Sequence, residues 1–236
     1  MSTSVVPSRQ LALQAMLAIL PLSISVVPWG VLTGALAIEA GFSPYQAQFL
    51  SMAVFAGAAQ LSAISMTAAG ASPGSIFGST VIISARHLLY SLVFKSYVKN
   101  LGLVKRMVIA FVLTDEMFVV SEAHTKSTGK FSYLYALVSG FTFYAVWNLS
   151  TLCGILLGQK LANLNELGLD FAIVATFIAM SIEQIRSEPE IVTVLVSGVL
   201  AVFLKPFFSE AYLIIATLLG MASGYACYEF KNRRLA

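Results

Sequence analysis

Two adjacent pairs of ionisable residues lie deep in otherwise apolar sequence: Arg86-His87 in the run from Ile76 to Phe94, and Asp115-Glu116 in the shorter run from Met107 to Ser121. On helix geometry Arg86 and His87 are about 10 residues, or ~15 Å, from either end of their run. An arginine at that depth costs at least ~2.5–3.5 kcal/mol even on insertion scales, and from mid-run it cannot snorkel to the interface. It must face protein, water or a counter-ion, and Asp115 and Glu116 are the available counter-ions. Consecutive helix positions are about 100° apart, so one acid can face a cavity while the other pairs or caps. Histidine titrates nearest physiological pH of all side chains, so His87 beside embedded acids can carry coupling protons. This chemistry suits a site for a small polar solute or a proton. The alternative is a fixed Arg86 to Asp115 pair that ties two segments together.

A second group of candidates is Phe55-Ala56-Gly57-Ala58-Ala59-Gln60, where small residues bring backbone close and Gln60, followed by Ser62, Ser65 and Thr67, supplies hydrogen bonds. Phe55, Gly57 and Gln60 line a site on this reading, or serve packing alone. Pro21 and Pro28 each remove a helical hydrogen bond in the first apolar run, as the broken helices of transporters do near the membrane midplane. No Walker loop, H-E-x-x-H, C-x-x-C or nucleophile elbow occurs, so enzyme chemistry has no handle here, and no catalytic residue, cofactor or metal is assigned. Cys153 and Cys227 fall in apolar runs and read as small hydrophobes.

The elements that position these residues follow from composition. With 58% apolar and only 11% charged residues, the chain lacks the polar surface of a soluble domain, which carries roughly a quarter charged residues. Apolar stretches of about 20 residues recur throughout, and in lipid such runs must be helices. The expected fold is an all-α transmembrane bundle of six to eight segments, with residues 1–236 forming one membrane domain. The segments are placed at 11–38, 45–69, 75–97, 107–122, 131–158, 168–185, 190–205 and 208–229. Ser43 and Ser72, each before a proline, read as N-caps. A formal charge of +3 without a basic stripe gives no reason to expect nucleic acid as a partner. No internal repeat is visible in the residues themselves.

Charge placement bears on topology. If all eight segments crossed, seven cations would lie inside (Arg9, Lys126, Lys130, Arg186, Lys231, Arg233, Arg234) and six outside (Lys95, Lys99, Lys105, Arg106, Lys160, Lys205). If instead 45–69 and 107–122 are re-entrant or broken helices that leave on the face they entered, only Lys160 and Lys205 stay outside and both termini are cytoplasmic. The second arrangement satisfies the positive-inside rule far better. The plain reading of 45–69 as an ordinary span remains its alternative, since its length allows it.

With these residues in view the chain resembles the AzlC family, large subunits of bacterial branched-chain amino acid exporters. The matching stretches are Gly41-Phe42-Ser43-Pro44, Phe55-Ala56-Gly57-Ala58-Ala59-Gln60, Arg86-His87-Leu88-Leu89-Tyr90 and Leu113-Thr114-Asp115-Glu116-Met117-Phe118. Gly168-Leu169-Asp170-Phe171 is a further such stretch, with Asp170 a weaker candidate. The resemblance implies ion-driven export of leucine, isoleucine, valine and methionine through the bacterial inner membrane, together with a small AzlD-type membrane subunit. It also brings Tyr90 into the candidate site. An uncoupled channel, and a receptor or assembly subunit that moves nothing, are the competing readings.

Overall fold

The computed structural model describes residues 7–160, 178, 182, 185–208 and 212–235. Every regular element among them is a helix: α1 Ser8–Ser25, α2 Val27–Glu39, α3 Pro44–Ala53, α4 Gly57–Ala68, α5 Pro73–Ser84, α6 Arg86–Val98, α7 Leu103–Val112, α8 Asp115–Thr128, α9 Tyr133–Lys160, α10 Glu188–Leu204 and α11 Tyr212–Leu235. The all-α membrane fold is thus the observed one. The expected segment 168–185, including Asp170, lies outside the described residues except for Ile178, Ile182 and Ile185. Tyr133–Lys160 and Tyr212–Arg233 are long and apolar enough to cross a membrane, and the bent pairs α1–α2 and α5–α6 pass the same test when each is taken as one span.

The first four expected segments are each two helices. In the first, α1 and α2 meet at Val26 with a 52° bend. Pro28 sits in the first turn of α2, where its missing N–H is no loss, whereas Pro21 lies within α1 without ending it. Ser43 caps α3: its Oγ accepts from the Gln46 N–H at 3.3 Å, and the Gln46 side chain accepts from the Ser43 N–H at 2.8 Å. The other interruptions fall at Val54–Ala56, at Ala85 and at Leu113–Thr114.

Contacts divide the chain into two compact units, Met1–Leu61 with Ile83–Leu164, and Ser62–Ile82 with Asn165–Ala236. In the first, α9 is the mast. Gly30 of α2 lies opposite Ser150, Gly34 opposite Thr151 and Ile155, and Gly158 opposite Ala35 and Ile38, so α2 and α9 run parallel. The absence of side chains at Gly34 and Gly154 lets the two backbones touch, so the Gly30-x-x-x-Gly34 and Gly154-x-x-x-Gly158 spacings pack against each other within the subunit. α8 is joined to α9 by a short loop and runs back along it, His124 stacking on Tyr135 at 3.8 Å.

The direction of α6 is read from its ladder with α8: Arg86 pairs with Asp115, Tyr90 and Phe94 pack on Phe118, and Tyr97 bonds Glu122. Residue numbers rise together, so α6 and α8 are parallel. α7 must therefore carry the chain back to the level of Arg86, and the chain reverses at Leu113–Thr114. The segment expected at 107–122 is a broken hairpin. The one expected at 45–69 turns as well: Gln60 bonds Ser51 at 3.0 Å, although nine residues of unbroken helix would span ~13.5 Å.

These directions expose a repeat that the residues conceal. The interval from Val26 to Ala85 equals that from Val54 to Leu113. α2 and α6 have 13 residues each, α3 and α7 have 10 each, and α4 and α8 have 12 and 14. Since α2 runs with α9 and α6 runs against it, α2–α3 and α6–α7 form an inverted pair, each leading into the reversal of a broken hairpin. The end of this unit where α6 and α8 stop and α9 starts carries Lys95, Lys99, Lys105, Arg106, Lys126 and Lys130, all exposed. Four of these are the cations that an all-crossing topology would have put on the opposite face.

In the second unit α10 and α11 form a hairpin. Gly220 and Gly224 admit Ser197 and Thr193 of α10, and Lys231 pairs with Glu188 at 3.0 Å.

Candidate functional site

Arg86 is the first residue of α6 and Asp115 the first of α8, so the parallel ladder brings the two helix starts side by side. Arg86 Nη1 donates to Asp115 Oδ2 at 2.6 Å, and both side chains are about one-third exposed, at 28% and 31%. A carboxylate at a helix amino terminus sits well with the backbone dipole, and α8 has two, Asp115 and Glu116. A guanidinium at the amino terminus of α6 is on the unfavourable end of its own helix. Asp115 offsets that cost. Arg86 Nε is buried and its N–H is accepted by no protein atom, which leaves one guanidinium N–H unmatched.

Thr114 starts α8 by accepting the Met117 N–H at 3.4 Å, and this cap orients the two acids that follow. Glu116, one position round the helix from Asp115, is half-buried. His87 Nδ1 contacts the Ser84 carbonyl oxygen at 3.1 Å. A carbonyl only accepts, so that contact puts the proton on Nδ1 and leaves the Nε2 lone pair available. Tyr90 lies edge-on to His87 at 6.0 Å and stacks on Phe118 at 4.8 Å, extending the wall that α6 and α8 share.

The second group of candidates lies at the Val54–Ala56 break. Gln60 is almost wholly buried, and both ends of its amide are engaged: Nε2 donates to Ser51 Oγ and Oε1 accepts from Trp147 Nε1, each at 3.0 Å. Ser51 in turn donates to Thr151 Oγ1, and Thr151 to the Trp147 carbonyl oxygen. Gln60 is a tie that fixes the break against α9. Gly57 lies beneath the Trp147 ring, where a Cβ would come within 2.7 Å of Cη2. Phe55 fills the break itself and packs on Phe111, Phe143 and Tyr144 at centroid distances of 6.4, 6.0 and 5.0 Å.

The structure thus brings Arg86, Asp115, Glu116, His87 and Tyr90 to one pair of helix starts, and Phe55, Gly57 and Gln60 to the Val54–Ala56 break against α9. Pro21 and Pro28 flank the Val26 bend. Sequence reasoning missed Ser51, Trp147, Thr151, Phe111 and Tyr144. The signal for part of this group is Trp147-Asn148-Leu149-Ser150-Thr151, a polar cluster in the middle of a 28-residue apolar helix. Cys153 and Cys227 are free.

Apolar helices long enough to cross a bilayer, with further apolar helices bent or broken between them, make this a polytopic α-helical membrane protein. A family model described as AzlC protein matches residues 21–161, the stretch from Pro21 to just past α9, and the chain belongs to that family. It is 29% identical to the inner membrane protein YgaZ of Escherichia coli over 77% of each chain. An uncharacterized membrane protein of Helicobacter pylori is 27% identical over 80% of this chain and 83% of its own. The branched-chain amino acid transport protein AzlC of Bacillus subtilis is 26% identical over 67% of this chain and 62% of its own. No solved structure matches.

Proposed function

We propose that this chain is the permease subunit of a proton-coupled exporter of branched-chain amino acids, with leucine, isoleucine, valine and methionine as substrates. The observation that carries the reading is the Arg86–Asp115 pair at the starts of two parallel half-helices, with the Arg86 Nε–H unmatched. A zwitterion suits it: the carboxylate accepts from the unmatched Arg86 Nε–H, and the ammonium competes for Asp115. Substrate then replaces one protein–protein pair by two protein–substrate pairs and releases α6 from α8. Such a differential interaction is what a shift between inward-open and outward-open states requires.

His87 Nε2, Asp115 and Glu116 are the groups placed to take the coupling proton. The relationship to a protein named for branched-chain amino acid transport supports the substrate class. The exposed cations at the foot of α6, α8 and α9 support a cytoplasmic placement of that end, and with it cytoplasmic termini, in an inner membrane. A small AzlD-type membrane subunit works beside the chain on this reading, and residues 1–236 act as one transport domain.

Efflux of leucine from loaded vesicles, with and without a pH gradient and with and without the small subunit, tests the proposal. Gradient-dependent efflux that Arg86→Ala or Asp115→Asn abolishes is the expected result. Flux that ignores the pH gradient makes the protein a facilitator, and flux unchanged in both variants removes the pair from the mechanism.

A further inference from the structure

Resting on the exporter reading, we propose that Phe55, Phe111 and Tyr144 form the pocket for the hydrocarbon side chain of the transported amino acid, and that Phe111 sets the largest side chain accepted. The inverted pair of broken hairpins brings its two reversals against one another. Phe55 stands in the first, and Phe111 belongs to the last turn of α7, four residues before Asp115. Their rings are 6.4 Å apart, and both rest on Tyr144 of α9, at 5.0 and 5.4 Å.

Tyr144 also donates its hydroxyl to the Met52 carbonyl oxygen at 3.0 Å, in the last turn of α3, where helix carbonyls lack partners of their own. One side chain therefore touches the end of α3, the first reversal and the end of α7. An amino acid held by its head group at Arg86 and Asp115 needs an apolar wall near the same reversal: Tyr90 and Phe118 line its α6–α8 side, and these three rings line its α7 side. Phe111 is 42% exposed while Phe55 and Tyr144 are half-buried, so Phe111 is the most open of the three rings. A half-exposed ring also sets size, because truncating it enlarges the pocket without uncovering a polar group.

The test is counterflow with valine, leucine, methionine and phenylalanine in vesicles holding wild type, Phe111→Ala, Phe111→Leu and Phe111→Trp. The phenylalanine-to-leucine ratio is expected to rise about tenfold in Phe111→Ala and less in Phe111→Leu, with valine favoured over leucine in Phe111→Trp. Phe111→Leu keeps the assay decisive if the alanine variant does not fold. A merely structural ring lowers all four fluxes together, and unchanged ratios in the folded variants overturn the inference. Arg86→Ala in the same vesicles separates the two claims. If it stops wild-type exchange while the Phe111 ratios stay fixed, only the pocket is wrong. If wild type exchanges nothing, the exporter reading falls and the pocket with it.

Discussion

Exchanging the two charges, Arg86→Asp together with Asp115→Arg, separates a transport site from a structural tie. Removing one partner of a fully buried ion pair costs about 3–5 kcal/mol, because the other charge is left without compensation. Here the side chains are 28% and 31% exposed, and solvent reduces the cost to about 1–3 kcal/mol. Each single exchange puts like charges at the starts of α6 and α8 and is expected to lower the melting temperature of the purified protein and to stop flux. The double exchange restores an ion pair between the same helix starts, now with the acid favourably placed on α6. Stability returns. Flux does not, because the carboxylate and ammonium ends of the substrate meet the wrong charges, and charge-assisted bonds of about 1.5–3 kcal/mol correspond to about ten- to hundredfold in rate. Thermal melting and vesicle efflux on the same preparations give the two readouts. Full flux in the double variant would refute the reasoning, since the pair would then matter only as a tie.

Gln60→Leu removes both amide bonds and leaves the Trp147 Nε1 donor buried without an acceptor, a loss of about 1–3 kcal/mol read by thermal melting. An unchanged midpoint would mean that the network does not hold the break. Gly57→Ala drives a methyl toward Trp147 Cη2 and is expected to cost about 1–3 kcal/mol. Trp147→Phe deletes that atom, so the two substitutions should cost less together than the sum of their separate effects, and simple additivity in melting would contradict the contact. Cysteines placed at Lys99, Lys105 and Lys126 should all react with a membrane-impermeant thiol reagent from the same side of the membrane. Labelling of Lys105→Cys from the opposite side to Lys126→Cys would contradict the reversal at Leu113–Thr114.

Arg86, Asp115 and Glu116 were legible because ionised groups in an apolar run carry a cost that hydrocarbon does not repay, so sequence alone singles them out. The distribution of Lys95, Lys99, Lys105 and Arg106 likewise pointed to a chain that doubles back at 107–122, which the ladder from Arg86 to Tyr97 reproduces in contacts. Gln60 was legible as a buried polar residue, but its partners were not: Trp147 is 87 positions away, and only the turn at Val54–Ala56 brings Ser51 beside it. The inverted repeat was hidden because helix lengths and break intervals recur while residues do not. Arg86 at the start of α6 corresponds to Val27 in α2, and Asp115 at the start of α8 to Ala56 just before α4. Phe111 and Tyr144 carry no polar signal in the sequence, and only the assembled hairpins bring both against Phe55.

Leucine-dependent thermal stabilisation of the detergent-solubilised protein probes the site apart from any flux. A ligand that binds the folded state alone stabilises it by about 2.7 kcal/mol at a hundred times its dissociation constant. The midpoint of the wild type should climb steadily with leucine concentration, and those of Arg86→Ala and Asp115→Asn should stay flat. Equal stabilisation of all three proteins by leucine would place the amino acid elsewhere in the molecule and contradict the account.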